Sequence, residues 1–179
     1  MNAKAFKTLG LLAGAIAVVA LAQPTPASLI AGGILVAAGE AVRLWASGHL
    51  QRNREVTTSG PYAYVRDPLY LGRLLILTGA CVMAWGPALW LLPAGLAVFF
   101  ANYMPRKYRK EMTALEALFG PEYRDYAQQV HSLVPRLTPY PRARQRSWSS
   151  ELAWSENREQ YLLLAVLALV VAIMLRAPG

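Results

Sequence analysis

Two polar segments interrupt an otherwise apolar chain, and they hold most of the side chains that can act on a ligand. They run over His49–Gly72 and Arg106–Pro135. Carboxylates, tyrosines and cations within Asp67–Tyr70 and Lys107–Glu111 can orient a ligand by charge, hydrogen bonds and aromatic faces. The apolar sequence between them contains a turn that brings its two ends to one side, so we expect both clusters to line a single pocket.

Metal and disulfide chemistry are not expected. His49 and His131 lie far apart in sequence, and neither has a cysteine or carboxylate cluster at ligand spacing, so no metal site is predicted. The single cysteine, Cys81, lies in an apolar run and cannot form an internal disulfide, so we expect it to be a packing residue.

The composition indicates a membrane protein. Of the 179 residues, 55% are hydrophobic and 16% are charged, and the mean hydropathy is +0.29, more apolar than a typical soluble domain. The 18 lysines and arginines exceed the 10 acidic residues, giving a charge of +8. In a membrane protein such an excess usually faces anionic headgroups, so we expect membrane lipids rather than nucleic acid as partners.

Hydropathy predicts an all-α polytopic membrane helix bundle with about five transmembrane helices. The apolar runs are Leu9–Ala22, Ala27–Ser47, Leu69–Trp85, Ala88–Tyr103 and Tyr161–Leu175. The first run also has the basic start and small-residue ending of a cleaved signal peptide, and that alternative stays open. Gly86–Pro87 predicts that the third and fourth runs form an antiparallel hairpin.

Charged residues inside and after these runs carry further predictions. Glu40 and Arg43, three residues apart in the second run, are expected to pair with each other. The amphipathic stretch Arg106–Val130 is expected to lie outside the bilayer core, with a break at Gly120–Pro121. The basic, proline-rich segment that follows it is expected to be a topological anchor against anionic lipid.

We therefore predict one membrane domain. Residues 1–50 form two spans, 51–135 form a core with the hairpin and a cytoplasmic helix, 136–159 form the basic connector, and 160–176 form the last span. Most basic residues fall on one side if all five runs span. The positive-inside rule then predicts a multi-pass integral membrane protein whose active site faces the cytoplasm.

Two ordered motifs resemble those of the isoprenylcysteine carboxyl methyltransferase and phospholipid methyltransferase superfamily. The first motif is Ser59-Gly60-Pro61-Tyr62 followed by Arg66-Asp67-Pro68-Leu69-Tyr70-Leu71-Gly72, similar to Arg-His-Pro-x-Tyr-x-Gly. The second comprises Glu111 to Leu115, Phe119-Gly120, Tyr123, Tyr126, Val134 and Pro135. Both motifs occur in order, and the resemblance covers about residues 40 to 137.

The resemblance implies S-adenosylmethionine bound at the cytoplasmic face and a tunnel that admits a lipid-like or prenylated substrate from the bilayer. The implied cofactor-binding residues are Glu55, Val56, Thr57, Tyr62, Asp67, Pro68, Leu69, Tyr70 and Glu111. Lys107 matches a basic substrate contact, Arg106 is its neighbour, and Glu111 completes the implied catalytic set. Tyr62 and Tyr70 either offer aromatic faces to the cofactor or are ordinary interfacial tyrosines.

Methyl transfer is an in-line displacement in which positioning supplies much of the rate acceleration. A carboxylate acceptor is already ionised at neutral pH, so a cation such as Lys107 would orient it, whereas an amine must first lose a proton. The resemblance favours carboxyl O-methylation of an isoprenylcysteine-type group. The alternatives are phospholipid amine N-methylation, a related nicotinamide-dependent sterol reductase, which usually has more spans, and a non-catalytic membrane scaffold or sensor.

Two residues depart from the family pattern. The family's histidine is Asp67 here, and the second glutamate of its pair is Met112. Because Asp67 precedes Pro68, a preferred first residue of a helix, we expect Asp67 to cap the third helix rather than take part in catalysis.

Overall fold

The chain is all-helical in the part that the structure describes. The computed structural model describes the backbone of residues 3–177 and their side chains, except those of residues 3–7, 102, 103, 106–108 and 110. The α-helices are α1 (Ala3–Ala20), α2 (Pro26–Ser47), α3 (Pro68–Ala84), α4 (Leu91–Val98), α5 (Met104–Gln129) and α6 (Glu159–Met174). Short 3₁₀ turns occupy Gly60–Ala63 and Gly86–Trp90, and π-helical turns occupy Phe99–Tyr103 and Leu152–Glu156. The all-α prediction is confirmed.

Helices α2 and α3 form the centre of the fold, and small residues allow their backbones to pack closely. A Cβ atom at Gly32 would lie 2.5 Å from the Gly79 carbonyl oxygen, and one at Gly39 would lie 2.7 Å from the Gly72 carbonyl oxygen. Adjacent Gly33 instead has open space around it. Glycine is therefore required where the two backbones meet, as in closely packed helices in lipid.

Two turns meet at the end of the bundle opposite the polar segments. The turn between α1 and α2 is fixed by a reciprocal pair of hydrogen bonds between Thr25 and Ser28. The Gln23 amide donates to the Ala84 carbonyl over 2.7 Å, at the end of α3. The 3₁₀ turn at Gly86–Trp90 then returns the chain into α4, at the position that the Gly86–Pro87 signal predicts.

Only part of the predicted membrane topology has direct support from helix length. Within the described residues one helix, Pro26–Ser47, is both long and apolar enough to cross a membrane. The other apolar helices are shorter: Thr8–Ala20, Pro68–Ala84, Gly86–Ala101 and Glu159–Met174. Five complete spans remain a prediction.

A second, smaller core lies beside this bundle. Helix α5 is kinked at Gly120, whose φ of 52° is not helical, just before Pro121. The kink is where the sequence predicts it. The part of α5 after the kink and the residue that follows the helix pack Tyr123, Tyr126 and Val130 against residues of two loops, Val56 and Tyr140.

The two charged residues of α2 do not pair with each other as expected. The Arg43 Nε atom donates instead to the Glu159 carboxylate of α6 over 2.6 Å, and both side chains are 4% exposed. Arg43 also donates to the Leu69 carbonyl over 2.9 Å. The Glu40 carboxylate is buried and makes no hydrogen bond to the described residues. Arg43 thus ties α2 to the first turns of α3 and α6.

The basic connector is tied to the rest of the fold by ion pairs. We call residues 131–149 the strap, because they run across the outside of the loop that precedes α3. Three of its arginines pair with carboxylates of the protein: Arg142 with Asp125 at 2.6 Å, Arg144 with Glu55 and Glu122, and Arg146 with Glu55. These charges are used within the fold, and the role of the connector as a lipid-facing anchor stays a prediction.

Candidate active site

A cavity of about 670 Å³ opens where the loop between α2 and α3 meets α5 and the first turns of α3 and α6. All nine residues predicted from the resemblance to bind the cofactor line this one cavity: Glu55, Val56, Thr57, Tyr62, Asp67, Pro68, Leu69, Tyr70 and Glu111. Residues separated by more than 50 positions in the chain are therefore brought to a common space. Their role in binding remains a prediction.

The loop before α3 is unusually buried for a connection. Its polar residues Thr57, Thr58 and Ser59 are all at most 7% exposed. Gly60 adopts a φ of +58°, and a Cβ atom there would overlap the imidazole of His49, which hydrogen-bonds Ser59 through Nδ1 at 3.1 Å. Burial and the positive charge of Arg146 lower the pKa of His49, so the ring is neutral at pH 7. The loop is thus built around a buried, neutral histidine.

The two sequence motifs are joined directly. The Tyr126 hydroxyl donates to the Tyr62 carbonyl over 2.7 Å, and the Arg66 guanidinium donates to the Ala127 carbonyl over 2.9 Å. Closer to the cavity, the Tyr70 hydroxyl donates to the Glu111 carboxylate over 3.4 Å. Residues of the second motif therefore hold those of the first motif in place, and both motifs contribute to the wall of the cavity.

Asp67 occupies the predicted N-cap position of α3, but its side chain does not make the expected capping hydrogen bond. Its carboxylate instead accepts a hydrogen bond of 2.6 Å from the Ser132 hydroxyl and lies 3.6 Å from Arg66 Nε. Burial raises the pKa of Asp67, and this effect outweighs the opposing hydrogen bond from Ser132 and the charge of Arg66. Asp67 is thus a half-buried carboxylate at the cavity wall that ties α3 to the strap.

The residues predicted to contact the substrate are only partly described. Arg106 and Lys107 lie in α5, one turn before Glu111, but their side chains are outside the described part of the structure. Their predicted substrate contacts therefore stay predictions. Glu111 lies at the cavity, where it accepts the Tyr70 hydrogen bond.

Glu55 is held by two arginines of the strap. Its Oε2 atom accepts from Arg144 over 2.6 Å and from Arg146 over 2.9 Å, and its Oε1 atom lies 2.7 Å from Arg146. Burial alone would raise the pKa of Glu55, but the hydrogen bonds and charges of Arg146 and Arg144 outweigh it and lower the pKa. Glu55 is therefore an ionised, doubly paired carboxylate beside the cavity.

Several cavity residues were missed by sequence reasoning. Arg43, Arg73, Arg158 and Glu159 all line the cavity, although Arg43 and Glu159 belong to predicted spans or their ends. Arg73 could have been found, because it lies three residues after Tyr70 on the same face of α3. No local signal marks Arg158 or Glu159, since only the packing of α6 brings them to the site.

The charged lining is slightly positive. Among the described lining residues are the arginines 43, 52, 66, 73 and 158 and the carboxylates of Glu55, Asp67, Glu111 and Glu159. The α6 side adds the apolar residues Leu162 and Ala165. The cavity therefore combines a charged region with an apolar wall, as expected of a site for an amphipathic ligand.

Comparison with known proteins gives a consistent relationship. A family profile described as phospholipid methyltransferase matches residues 27–122, slightly more than half of the chain. This range includes the loop before α3, the first turns of α3 and the first part of α5, which together supply most of the residues that line the cavity. No solved structure matches the chain.

Curated relatives fall into two groups. The chain is similar to the cobalt-zinc-cadmium resistance protein CzcN of Cupriavidus metallidurans, with 34% identity over 118 residues, 65% of this chain and 53% of that protein. It is 34% identical over 98 residues to the nickel-cobalt-cadmium resistance protein NccN of Alcaligenes xylosoxydans xylosoxydans, covering 54% of this chain and 44% of the relative.

A probable protein-S-isoprenylcysteine O-methyltransferase of Oryza sativa is 31% identical over 87 residues, 49% of this chain and 44% of the relative. The chain spans about half the length of the curated relatives it matches. In the described part of the chain no group of three or more His, Cys, Asp or Glu side chains is arranged to hold a metal ion.

Proposed function

Because this chain belongs to the phospholipid methyltransferase family, we propose that it is a membrane enzyme that uses S-adenosylmethionine to methylate the carboxylate of an isoprenylcysteine-type lipid. The family implies a methyltransferase, a membrane location and this methyl donor. The observation that carries the proposal is that both family motifs line one cavity. The carboxylate acceptor, the complete set of spans and the cytoplasmic orientation are the finer parts of the proposal.

The residues of the cavity suit the proposed cofactor. Its volume of about 670 Å³ falls within the usual range for small-molecule sites of roughly 300–1,000 Å³. Tyr62, Tyr70 and Glu111 would hold the cofactor, with the tyrosines offering aromatic faces and Glu111 a carboxylate for its polar groups. When bound, S-adenosylmethionine supplies a methyl group activated by a positively charged sulfur.

The charges of the cavity favour an anionic acceptor. Arg73 and Arg158 line the cavity, as do the apolar residues Leu162 and Ala165 of α6. A carboxylate held near these guanidinium groups would place its attached lipid chain along the apolar wall. Charge-assisted hydrogen bonds from arginine orient a carboxylate, and such positioning is the main contribution a methyltransferase needs from its protein groups.

A specific observation supports the amine acceptor as the second candidate. An amine must lose a proton before it can attack, so an N-methyltransferase needs a base in the cavity. Asp67 lines the cavity, and its pKa is raised above the ordinary aspartate value by burial. A raised pKa makes a carboxylate a better proton acceptor, which would suit a phospholipid amine.

One experiment separates these possibilities. The purified chain in lipid vesicles is incubated with methyl-labelled S-adenosylmethionine and, separately, a synthetic prenylcysteine or a phosphatidylethanolamine. Alkali then hydrolyses carboxyl methyl esters to volatile methanol and leaves methylamines intact. Base-labile label on the prenylcysteine is expected. Label only on the aminolipid would support the second candidate, and no cofactor binding at millimolar concentration would refute both and leave a scaffold or sensor.

A further inference from the structure

We propose that Arg144 and Arg146 of the strap are positioning residues that hold the cofactor loop, residues 50–58, through Glu55. The inference rests on the proposed function, because it assigns these arginines to cofactor binding. It differs from the role that the family resemblance gives Glu55, which is direct contact with the cofactor. Neither arginine lies within the region matched by the family profile, which ends at residue 122.

Both arginines hold the Glu55 carboxylate through its Oε2 atom. Arg146 donates from Nη2 to Oε2 over 2.9 Å, and its Nη1 lies 2.7 Å from Oε1 as an ion-pair contact without a hydrogen bond. Arg144 Nη1 adds a third contact of 2.6 Å to Oε2. Charge-assisted hydrogen bonds from two separate arginines restrain the position of a carboxylate strongly. The Glu55 side chain is only 13% exposed.

The strap is itself fixed to the fold, so it can act as a support. Its backbone amides donate to the loop before α3 at three places: Arg136 to the Tyr64 carbonyl at 2.8 Å, Tyr140 to the Ala63 carbonyl at 2.8 Å, and Arg144 to the Thr58 hydroxyl at 3.0 Å. Farther along, the Ser149 amide donates to the Gly48 carbonyl. The strap is therefore tied to both ends of the cofactor loop.

The position of Glu55 in the loop makes this support useful. The next two residues, Val56 and Thr57, line the cavity, as do Arg52 and Asn53 before it. Asn53 adopts a φ of 58°, a left-handed turn conformation that asparagine accepts more readily than most residues. A loop with little regular structure needs external contacts to stay in one conformation. Paired arginines behind Glu55 would supply them and so preorganise the cavity wall.

A double-mutant cycle on the full chain in lipid nanodiscs tests the proposal. Affinity for S-adenosylmethionine is measured by titration calorimetry for Glu55→Gln, Arg146→Gln, the double variant and Arg144→Gln. Each single variant is expected to raise the Kd for the cofactor about fivefold to tenfold. The double variant should bind no more weakly than the weaker-binding of Glu55→Gln and Arg146→Gln, because these three variants all lack the Glu55–Arg146 interaction. Arg146→Lys, which retains the charge, should recover part of the affinity.

The same strap offers a matched control. Arg142→Gln removes an equal charge from a side chain that is 75% exposed and pairs with Asp125 of α5 rather than with the loop. We expect its affinity to equal that of the unmodified protein. Hydrogen exchange without cofactor should show faster exchange at residues 50–58 in Arg146→Gln and no change in the control, with the exchange of α2 and α3 unaltered in both.

The outcomes separate the two proposals. If the unmodified chain does not bind the cofactor, the proposed function fails and the inference with it. If it binds and both arginine variants bind equally tightly, only the inference is overturned. If Glu55→Gln alone weakens binding, Glu55 contacts the cofactor directly and the arginines do not position the loop. Slower methyl transfer by the arginine variants at saturating cofactor, with an unchanged affinity for the cofactor, would also contradict the inference.

Discussion

Removing the carboxylate of Glu159 should destabilise the protein strongly, because it leaves a buried guanidinium without its charged partner. Arg43 Nε and Glu159 Oε1 are 2.6 Å apart, and both side chains are 4% exposed. Breaking a buried ion pair by deleting one member typically costs about 3–5 kcal/mol. For a protein of this size each kcal/mol lowers the unfolding midpoint by a few degrees, so Glu159→Ala should lower it by about 10 °C.

The chain contains a suitable comparison for this variant. Arg54 and Glu156 form a pair of similar length, 2.9 Å, but their side chains are 62% and 32% exposed. Solvent screening limits such a pair to about 0–1 kcal/mol, so Glu156→Ala should barely change the midpoint. Thermal unfolding of both variants in the same detergent, followed by tryptophan fluorescence, gives the two values side by side.

The result that would refute the reasoning is equal stability of the two variants. It would mean that Arg43 finds another partner, such as the neighbouring Glu40, or that water reaches it in the variant. Glu159→Gln adds a second check, because its amide oxygen keeps an acceptor for Arg43 while removing the charge. Its loss of stability should lie between those of the two alanine variants.

Three further predictions concern packing, pH and the loop. Gly32→Ala should lower the free energy of unfolding by about 1–3 kcal/mol through overpacking against α3, whereas Gly33→Ala, which meets open space, should change it by less than about 0.5 kcal/mol in the same denaturation assay. The pKa of Glu55 is lowered in the fold, so the stabilisation from its ionised form is present above the ordinary glutamate pKa and is lost as the pH falls through the lowered value. Between pH 7 and pH 3 the melting temperature should therefore fall more steeply for the unmodified chain than for Glu55→Gln. Tyr126→Phe removes the donor to a buried carbonyl and should cost about 1–2 kcal/mol in unfolding free energy, and a change near zero would show that water replaces the hydroxyl.

Much of the architecture was predictable because its signals are local. Apolar runs gave the positions of the helices, Gly86–Pro87 predicted the turn into α4, and Gly120–Pro121 predicted the kink in α5. Turn chemistry and hydropathy act over a few residues, so a single sequence contains them. The family resemblance also identified nine of the residues that line the cavity, whose roles stay predictions.

The partners of the charged residues were decided only by tertiary structure. Arg43 was expected to pair with Glu40 within one helix turn, but it pairs with Glu159, 116 residues away. The Asp67 side chain was expected to cap α3, but it accepts a hydrogen bond from Ser132 of the strap. Glu55 was expected at the cofactor, and its carboxylate is held by arginines about 90 residues later.

These differences have a common physical reason. The sequence by itself determined where helices begin, turn and end, and which polar segments belong together, because those features depend on neighbouring residues. A long charged side chain instead takes the partner that desolvation and geometry make most favourable, and that partner exists only after helices and loops have packed. The cavity and its slightly positive lining are therefore products of the tertiary structure, assembled from residues that the sequence marks only in part.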